Sequence, residues 1–92
     1  MPDLQVLHIH QARLNITWAG NNGDYPDPVP FDISDGEIRN IAAEAIRTGY
    51  VPGIQADVRV NLADFVVDRF GATAEVPWNR IFLRPKTPFG SR

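Results

Sequence analysis

Two histidines, His8 and His10, are the side chains in this sequence whose type and spacing come closest to a metal site. Positions two apart on a strand point to the same face, so both imidazoles would be able to bind one divalent ion. Two ligands are too few for a protein metal site, and no third ligand is identifiable. We therefore expect no metal and no cofactor, and interpret both histidines as strand residues at an edge or an interface.

Carboxylates give two further arrangements with possible chemistry. One is a group between positions 24 and 37 whose spacing does not match a calcium loop, so loop charge and helix capping explain it: Asp24, Asp27, Asp32, Asp35 and Glu37. The other is a candidate acid–base pair, Asp64 and Asp68. Nothing in the sequence marks a pocket around that pair, and the nearby Arg69 and Arg80 indicate surface ion pairs instead.

The sequence contains none of the common catalytic motifs. It has no cysteine nucleophile, no G-x-S-x-G elbow, no phosphate-binding glycine loop and no H-E-x-x-H pair. The two histidines also have no evident serine or aspartate partner. We therefore predict that the protein is not an enzyme, and we assign no catalytic residue.

The C-terminal stretch 84–90 is the segment that we predict to bind a partner. It combines basic charge, two prolines and an aromatic ring, and proline lowers the entropy that a segment loses on docking. The predicted binding residues are Arg84, Lys86, Phe89 and Gly90. Residues 85–92 are expected to be a flexible tail, and a frayed end with Phe89 packed on the core is an equally open interpretation.

Length and composition limit the range of partners. The chain has 92 residues, 43% of them hydrophobic and 22% charged, which is typical of one globular domain. A net charge of −2 and the lack of a long basic run disfavour nucleic-acid binding. A local basic patch is still an open interpretation near Arg80, Arg84, Lys86 and Arg92. No window approaches the ~20 apolar residues of a membrane span. Without cysteine or a signal peptide, we expect a cytoplasmic protein.

Hydrophobic alternation predicts the strands that must position these residues. An extended segment is expected around 4–10 and a firmer strand around 13–19, followed by a turn cluster at 19–24 and a return strand at 29–33. Further strands are predicted at 58–62 and 79–84. Residues 62–70 fit a helix or a strand, and their β-rich composition favours the strand.

One helix is predicted between two clear end signals. Ser34 is the expected N-cap, Glu37 completes a capping box, and Gly49 ends the helix. A single apolar stripe is expected to face the sheet, formed by Ile38, Ile41, Ala42, Ala45 and Ile46. On this assignment Ile41→Asp should unfold the chain, because the change buries an unpaired charge.

The order of hairpin, capped helix and further strands is that of the β-grasp fold. The chain resembles ubiquitin-like proteins at the hairpin 14–18 with 29–33, at the helix start 34–38, and at the closing strand 80–84 with its tail. The resemblance implies a single α+β domain, with a β-grasp-like mixed sheet of four to five strands packed on one main helix at about residues 35–48. It also implies a modifier or carrier whose tail glycine, here Gly90, is activated by another enzyme.

We therefore predict a non-catalytic protein-interaction module, a ubiquitin-like modifier or carrier acting through its tail. The alternative is a small structural or regulatory subunit that binds a partner, or a second copy of itself, by strand addition. The proline-rich segment 26–30 and the N-terminal segment 4–10 support this alternative, because both resemble unpaired edge strands.

Overall fold

A computed structural model describes residues 9–86 of the chain, which form a mixed five-stranded sheet with one helix packed on one face. The elements are β1 Gln11–Trp18, β2 Asn21–Asp24, β3 Val29–Pro30, α1 Asp35–Thr48, β4 Val66–Phe70 and β5 Asn79–Arg84. The sheet order is β2-β1-β5-β4, and β3 pairs with the same edge of β1 as β2 does. This α+β architecture confirms the predicted fold class and is compatible with a β-grasp-like layout.

The parallel pair of β1 and β5 forms the centre of the sheet. Leu14 lies beside Ile81 and Ile16 beside Leu83, and all four side chains are fully buried. In β1 these residues alternate with half-buried ones, which is the period of two that predicted the strand. The predicted strands at 13–19 and 79–84 are therefore confirmed, with β1 beginning two residues earlier.

The first hairpin has a shorter turn than the sequence suggested. Ala19 and Gly20 both have positive φ, 53° and 81°, as the two central residues of a type I′ turn do. The chain therefore reverses within two residues, and 21–24, predicted to be part of the turn cluster, instead form β2. The amides of Asn15 and Asn22 exchange hydrogen bonds of 2.7 and 3.0 Å across this hairpin and fix its register.

The return strand predicted at 29–33 is only two residues long. Val29 is buried opposite Ala12, and the Phe31 amide donates to the His10 carbonyl at 2.8 Å. The Ile33 amide then donates to the Pro30 carbonyl at 3.2 Å, which turns the chain away from the sheet and towards the helix.

The helix has the ends that its sequence predicts. The Ser34 hydroxyl accepts a hydrogen bond from the Glu37 amide at 3.1 Å, and Gly49 takes the left-handed conformation with φ 76°. Its buried residues are Ile38, Ala42, Ala45 and Ile46. Ile41 is only half-buried and is not among the hydrophobic residues packed against the core, so its assignment to the core-facing stripe is wrong.

The strand predicted at 58–62 is absent, since residues 51–65 contain only turns and irregular backbone. Asp57 accepts a hydrogen bond from the Arg59 amide at 2.9 Å, and Asn61 accepts one from the Ala63 amide at 3.0 Å. These local bonds compete with a strand ladder and bend the backbone. As a result Val58, which the alternation placed on a strand, is 77% exposed.

A side-chain hydrogen bond joins this irregular segment to the sheet. The indole nitrogen of Trp18 donates to a carboxylate oxygen of Asp57 at 3.1 Å. The amide of Arg59, followed by this indole, lowers the pKa of Asp57, because both donors stabilise the charged carboxylate. The long connection after the helix is therefore held to the end of β1.

The two uncertain segments have different outcomes. Residues 66–70 form β4 and residues 62–65 are turn and irregular backbone, so the strand interpretation is confirmed for the second part of the segment and the helical one is wrong. The extended segment predicted at 4–10 falls mainly outside the described residues, and its last two positions form a turn.

Substitutions in the helix test the corrected core. Ile46→Ala should lower the free energy of unfolding by about 2–5 kcal/mol, because it leaves a cavity in a fully buried site. Ile41→Ala should cost only about 1 kcal/mol, since that side chain is already half in water. Urea unfolding followed by circular dichroism measures both free energies. Equal losses in the two variants would show that Ile41 belongs to the core.

Candidate functional site

The sheet has a second face, which the helix does not cover. Side chains alternate along a strand, so the neighbours of the buried residues in β1, β5 and β4 point away from the helix. We call this surface the outer face; its members are half-buried or exposed, and they are Arg13, Asn15, Val66, Asp68, Phe70, Arg80, Phe82 and Arg84.

Two phenylalanine rings and one guanidinium group contact each other on the outer face. The ring centroids of Phe70 and Phe82 are 5.5 Å apart at an angle of 54°. The guanidinium carbon of Arg80 lies 5.5 Å from the Phe70 centroid and 5.9 Å from the Phe82 centroid. Cation–π attraction to both rings restricts the long side chain of Arg80, so that its charge is held beside an aromatic surface.

A second arginine, Arg13, lies beside Arg80, and neither forms an ion pair with a residue of the described range. Arg13 and Arg80 are register partners on the parallel strands β1 and β5, and their side chains are on the same face. Like charges at paired positions destabilise a sheet. No ion pair within residues 9–86 uses either arginine, and the Nε atom of Arg80 is buried without a hydrogen-bond partner there. The described residues therefore leave two positive charges side by side on the outer face.

The carboxylate on the outer face is already paired. Asp68 forms an ion pair with Arg84 across β4 and β5, which confirms surface pairing for Asp68 but assigns it to a different arginine from those predicted. Asp64 is exposed in the turn before β4.

Arg69 connects the edge strand β4 to the start of the helix. Its guanidinium donates to the carbonyl oxygens of Phe31 and Ile33 at 2.8 and 2.7 Å, and to Asp35 at 2.6 Å. These bonds satisfy two main-chain acceptors at the point where the chain leaves the sheet. They therefore fix the position of β4, and with it Phe70 on the outer face.

The acidic group between 24 and 37 is used in structural contacts. Asp24 accepts a hydrogen bond from the Asn15 amide at 2.9 Å, and Asp27 accepts one from the Tyr50 hydroxyl at 2.8 Å. The bond to Asp27 is the main reason why the pKa of Tyr50 is raised. In the described part of the chain, no cluster of three or more histidine or acidic side chains is placed to hold a metal ion.

The predicted tail residues are only partly described. Arg84 is exposed at the end of β5, and Lys86 is exposed two residues further on. Phe89 and Gly90 lie outside the described residues, so the use of Gly90 that the ubiquitin-like resemblance implies stays a prediction.

Sequence reasoning missed the outer-face residues that surround Arg80, namely Arg13, Phe70 and Phe82. The alternation in 80–84 already separates Ile81 and Leu83 from Arg80, Phe82 and Arg84. It was the pairing of β1 with β5, which no local pattern encodes, that added Arg13 to the patch.

Comparison with known proteins gives no relative, since no family model, curated protein or solved structure matches this chain. Within residues 9–86, no helix has the length and apolar character needed to cross a bilayer.

Removing one charge of the arginine pair should stabilise the fold. Arg13→Gln is expected to raise the free energy of unfolding by about 0.5 kcal/mol at low salt, because it removes repulsion across β1 and β5. The gain should shrink as salt screens the charges. Arg59→Gln is the matched control, since the Arg59 side chain is 89% exposed and lies near Asp57. Urea unfolding at low and high salt measures both; a loss of stability in Arg13→Gln would contradict the repulsion.

Proposed function

We propose that this chain is a non-catalytic protein-interaction module that binds a protein partner through its outer face. The observation that supports this most directly is the unneutralised pair of Arg13 and Arg80, set against the rings of Phe70 and Phe82. Arginine and aromatic side chains are the residues that carry most of the binding energy in protein interfaces. The lack of cysteine supports a cytoplasmic location, because the fold needs no disulfide.

The chemistry of these side chains favours binding over catalysis. Arginine stays protonated in proteins and does not act as a general base, and phenylalanine has no group that exchanges protons or attacks a substrate. Both types nevertheless bury surface when a partner covers them, and arginine also donates directed hydrogen bonds. The outer face is therefore suited to recognition.

The arrangement also lowers the entropy cost of binding. A free arginine side chain loses about 2 kcal/mol of rotamer freedom when an interface immobilises it. Arg80 is already held against the rings of Phe70 and Phe82, and Phe82 is half-buried on a central strand. A partner therefore meets side chains whose positions are largely set in advance.

Capture of a partner by variants of the outer face tests this proposal. Phe70→Ser removes an exposed ring, 45% accessible, and should reduce capture of the wild-type partner by about tenfold, the effect expected of a central aromatic residue. Val58→Ser is the control, because it removes an equally apolar side chain, 77% exposed, from the irregular segment away from the sheet. The measurement is quantitative mass spectrometry after affinity capture with the full-length chain.

The comparison uses only variants that are folded, and circular dichroism tests the fold of each variant. A partner that is retained by Phe70→Ser, or lost equally with Val58→Ser, would contradict the outer face as the binding surface.

Strand addition at β4 is a second candidate, and the position of this strand favours it. β4 pairs with β5 on one side and with no other strand in the described range, so it is an edge of the sheet. Its sequence VVDRF has high β-propensity, and Val66 and Phe70 are exposed. The opposite edge, β2, is the polar run NNGD and is less suited to pairing. A strand of a partner, or of a second copy, would continue the ladder.

A charge at the edge distinguishes strand addition from binding on the face. Val66→Lys should convert any dimer or hetero-complex formed through β4 into monomer, because a lysine on an edge strand blocks pairing. Val58→Lys is the matched control. Light scattering over a range of concentrations measures the mass. This candidate is ruled out if the wild-type chain is a monomer and Val66→Lys captures its partner as well as the wild type does.

A further inference from the structure

We infer that Arg13 and Arg80 together form a carboxylate-binding site, and that the part of the partner seated on it is an acidic peptide segment. This inference rests on the proposed function, since it names the chemistry that the outer face recognises.

The register of β1 and β5 places Arg13 and Arg80 side by side on the outer face. Neighbouring strands are about 4.8 Å apart, and paired residues have their side chains on the same face. A guanidinium presents its N–H donors as a planar fork that matches the two oxygens of a carboxylate. A carboxylate between Arg13 and Arg80 would thus accept hydrogen bonds from both and cancel their mutual repulsion.

Arg80 has hydrogen-bonding capacity that the described chain leaves unused. Its Nε atom is buried and has no acceptor among the described residues, although the guanidinium is fixed against Phe70 and Phe82. An arriving carboxylate would bind the remaining N–H donors of the same guanidinium.

The outer face already contains one example of the contact that we propose. Asp68 of β4 binds Arg84 of β5, so a carboxylate lying on this face finds its guanidinium partner there. The second carboxylate on this face, Asp24 of β2, accepts a hydrogen bond from Asn15. Neither carboxylate forms an ion pair with Arg13 or Arg80 within residues 9–86.

A peptide fits this surface better than a nucleic acid does. Two unpaired arginines are few compared with the several phosphate contacts that give nucleic-acid binding its affinity. The rings of Phe70 and Phe82 offer apolar contact to the residues that flank an acidic side chain.

Titration of the full-length, ¹⁵N-labelled chain with a short peptide of alternating glutamate and leucine tests the site. Amide shifts should concentrate on β1, β4 and β5. Replacing every glutamate by glutamine, or making Arg13→Gln or Arg80→Gln, should weaken binding by about fivefold or more, because each change removes a charge-assisted contact. Arg13→Lys, which keeps the charge but loses the fork, should give an intermediate loss, and Arg59→Gln should leave binding unchanged.

Three results of the titration would overturn the inference. The first is equal binding of the glutamate and glutamine peptides, and the second is unchanged binding by Arg13→Gln. The third is tighter, Arg13-dependent binding of a short thymidine oligonucleotide, which would assign the face to single-stranded nucleic acid. A native partner that is lost with Phe70→Ser but kept by Arg13→Gln and Arg80→Gln would leave the interaction module intact and remove only the carboxylate site.

Discussion

The parallel contact between β1 and β5 is the interaction on which the rest of the molecule depends. It joins the first and last described strands and places Leu14 against Ile81 beneath the helix. Because side chains alternate on a strand, the same register sets Arg13 beside Arg80 on the opposite face. A shift by one residue would exchange the two faces, so the core and the candidate site are determined by a single pairing.

The energies of the two faces explain why the chain tolerates paired arginines. Burying a Leu or Ile side chain completely contributes roughly 1.5–3 kcal/mol, and four such residues meet in this contact. Repulsion between like charges at paired positions costs about 0.2–1 kcal/mol. The burial free energy of the core is therefore much larger than the repulsion, and it fixes a register in which Arg13 and Arg80 are neighbours. Such a local cost, compensated elsewhere, is typical of surfaces kept for binding.

Elements whose signals are local were predictable from the sequence, and those that depend on distant contacts were not. Ser34 and Gly49 define the helix through their own backbone geometry, so its ends were correct. The 58–62 alternation failed because Asp57 and Asn61 accept amide hydrogen bonds two residues ahead. Ile41 was misplaced because the width of the buried stripe depends on how the helix lies on the sheet. The outer face required the β1–β5 pairing itself, which no local pattern contains.

The edge strand β4 links the two candidate modes of binding. Arg69 fastens β4 to the carbonyl groups that precede the helix, while the ladder with β5 brings Phe70 next to Arg80. A strand added to the free edge of β4 would lie beside Val66 and Phe70 and would enlarge the outer face by one strand. Such a strand could therefore continue across the rings towards the arginine pair. Edge pairing and carboxylate binding are in this sense compatible contacts of one partner.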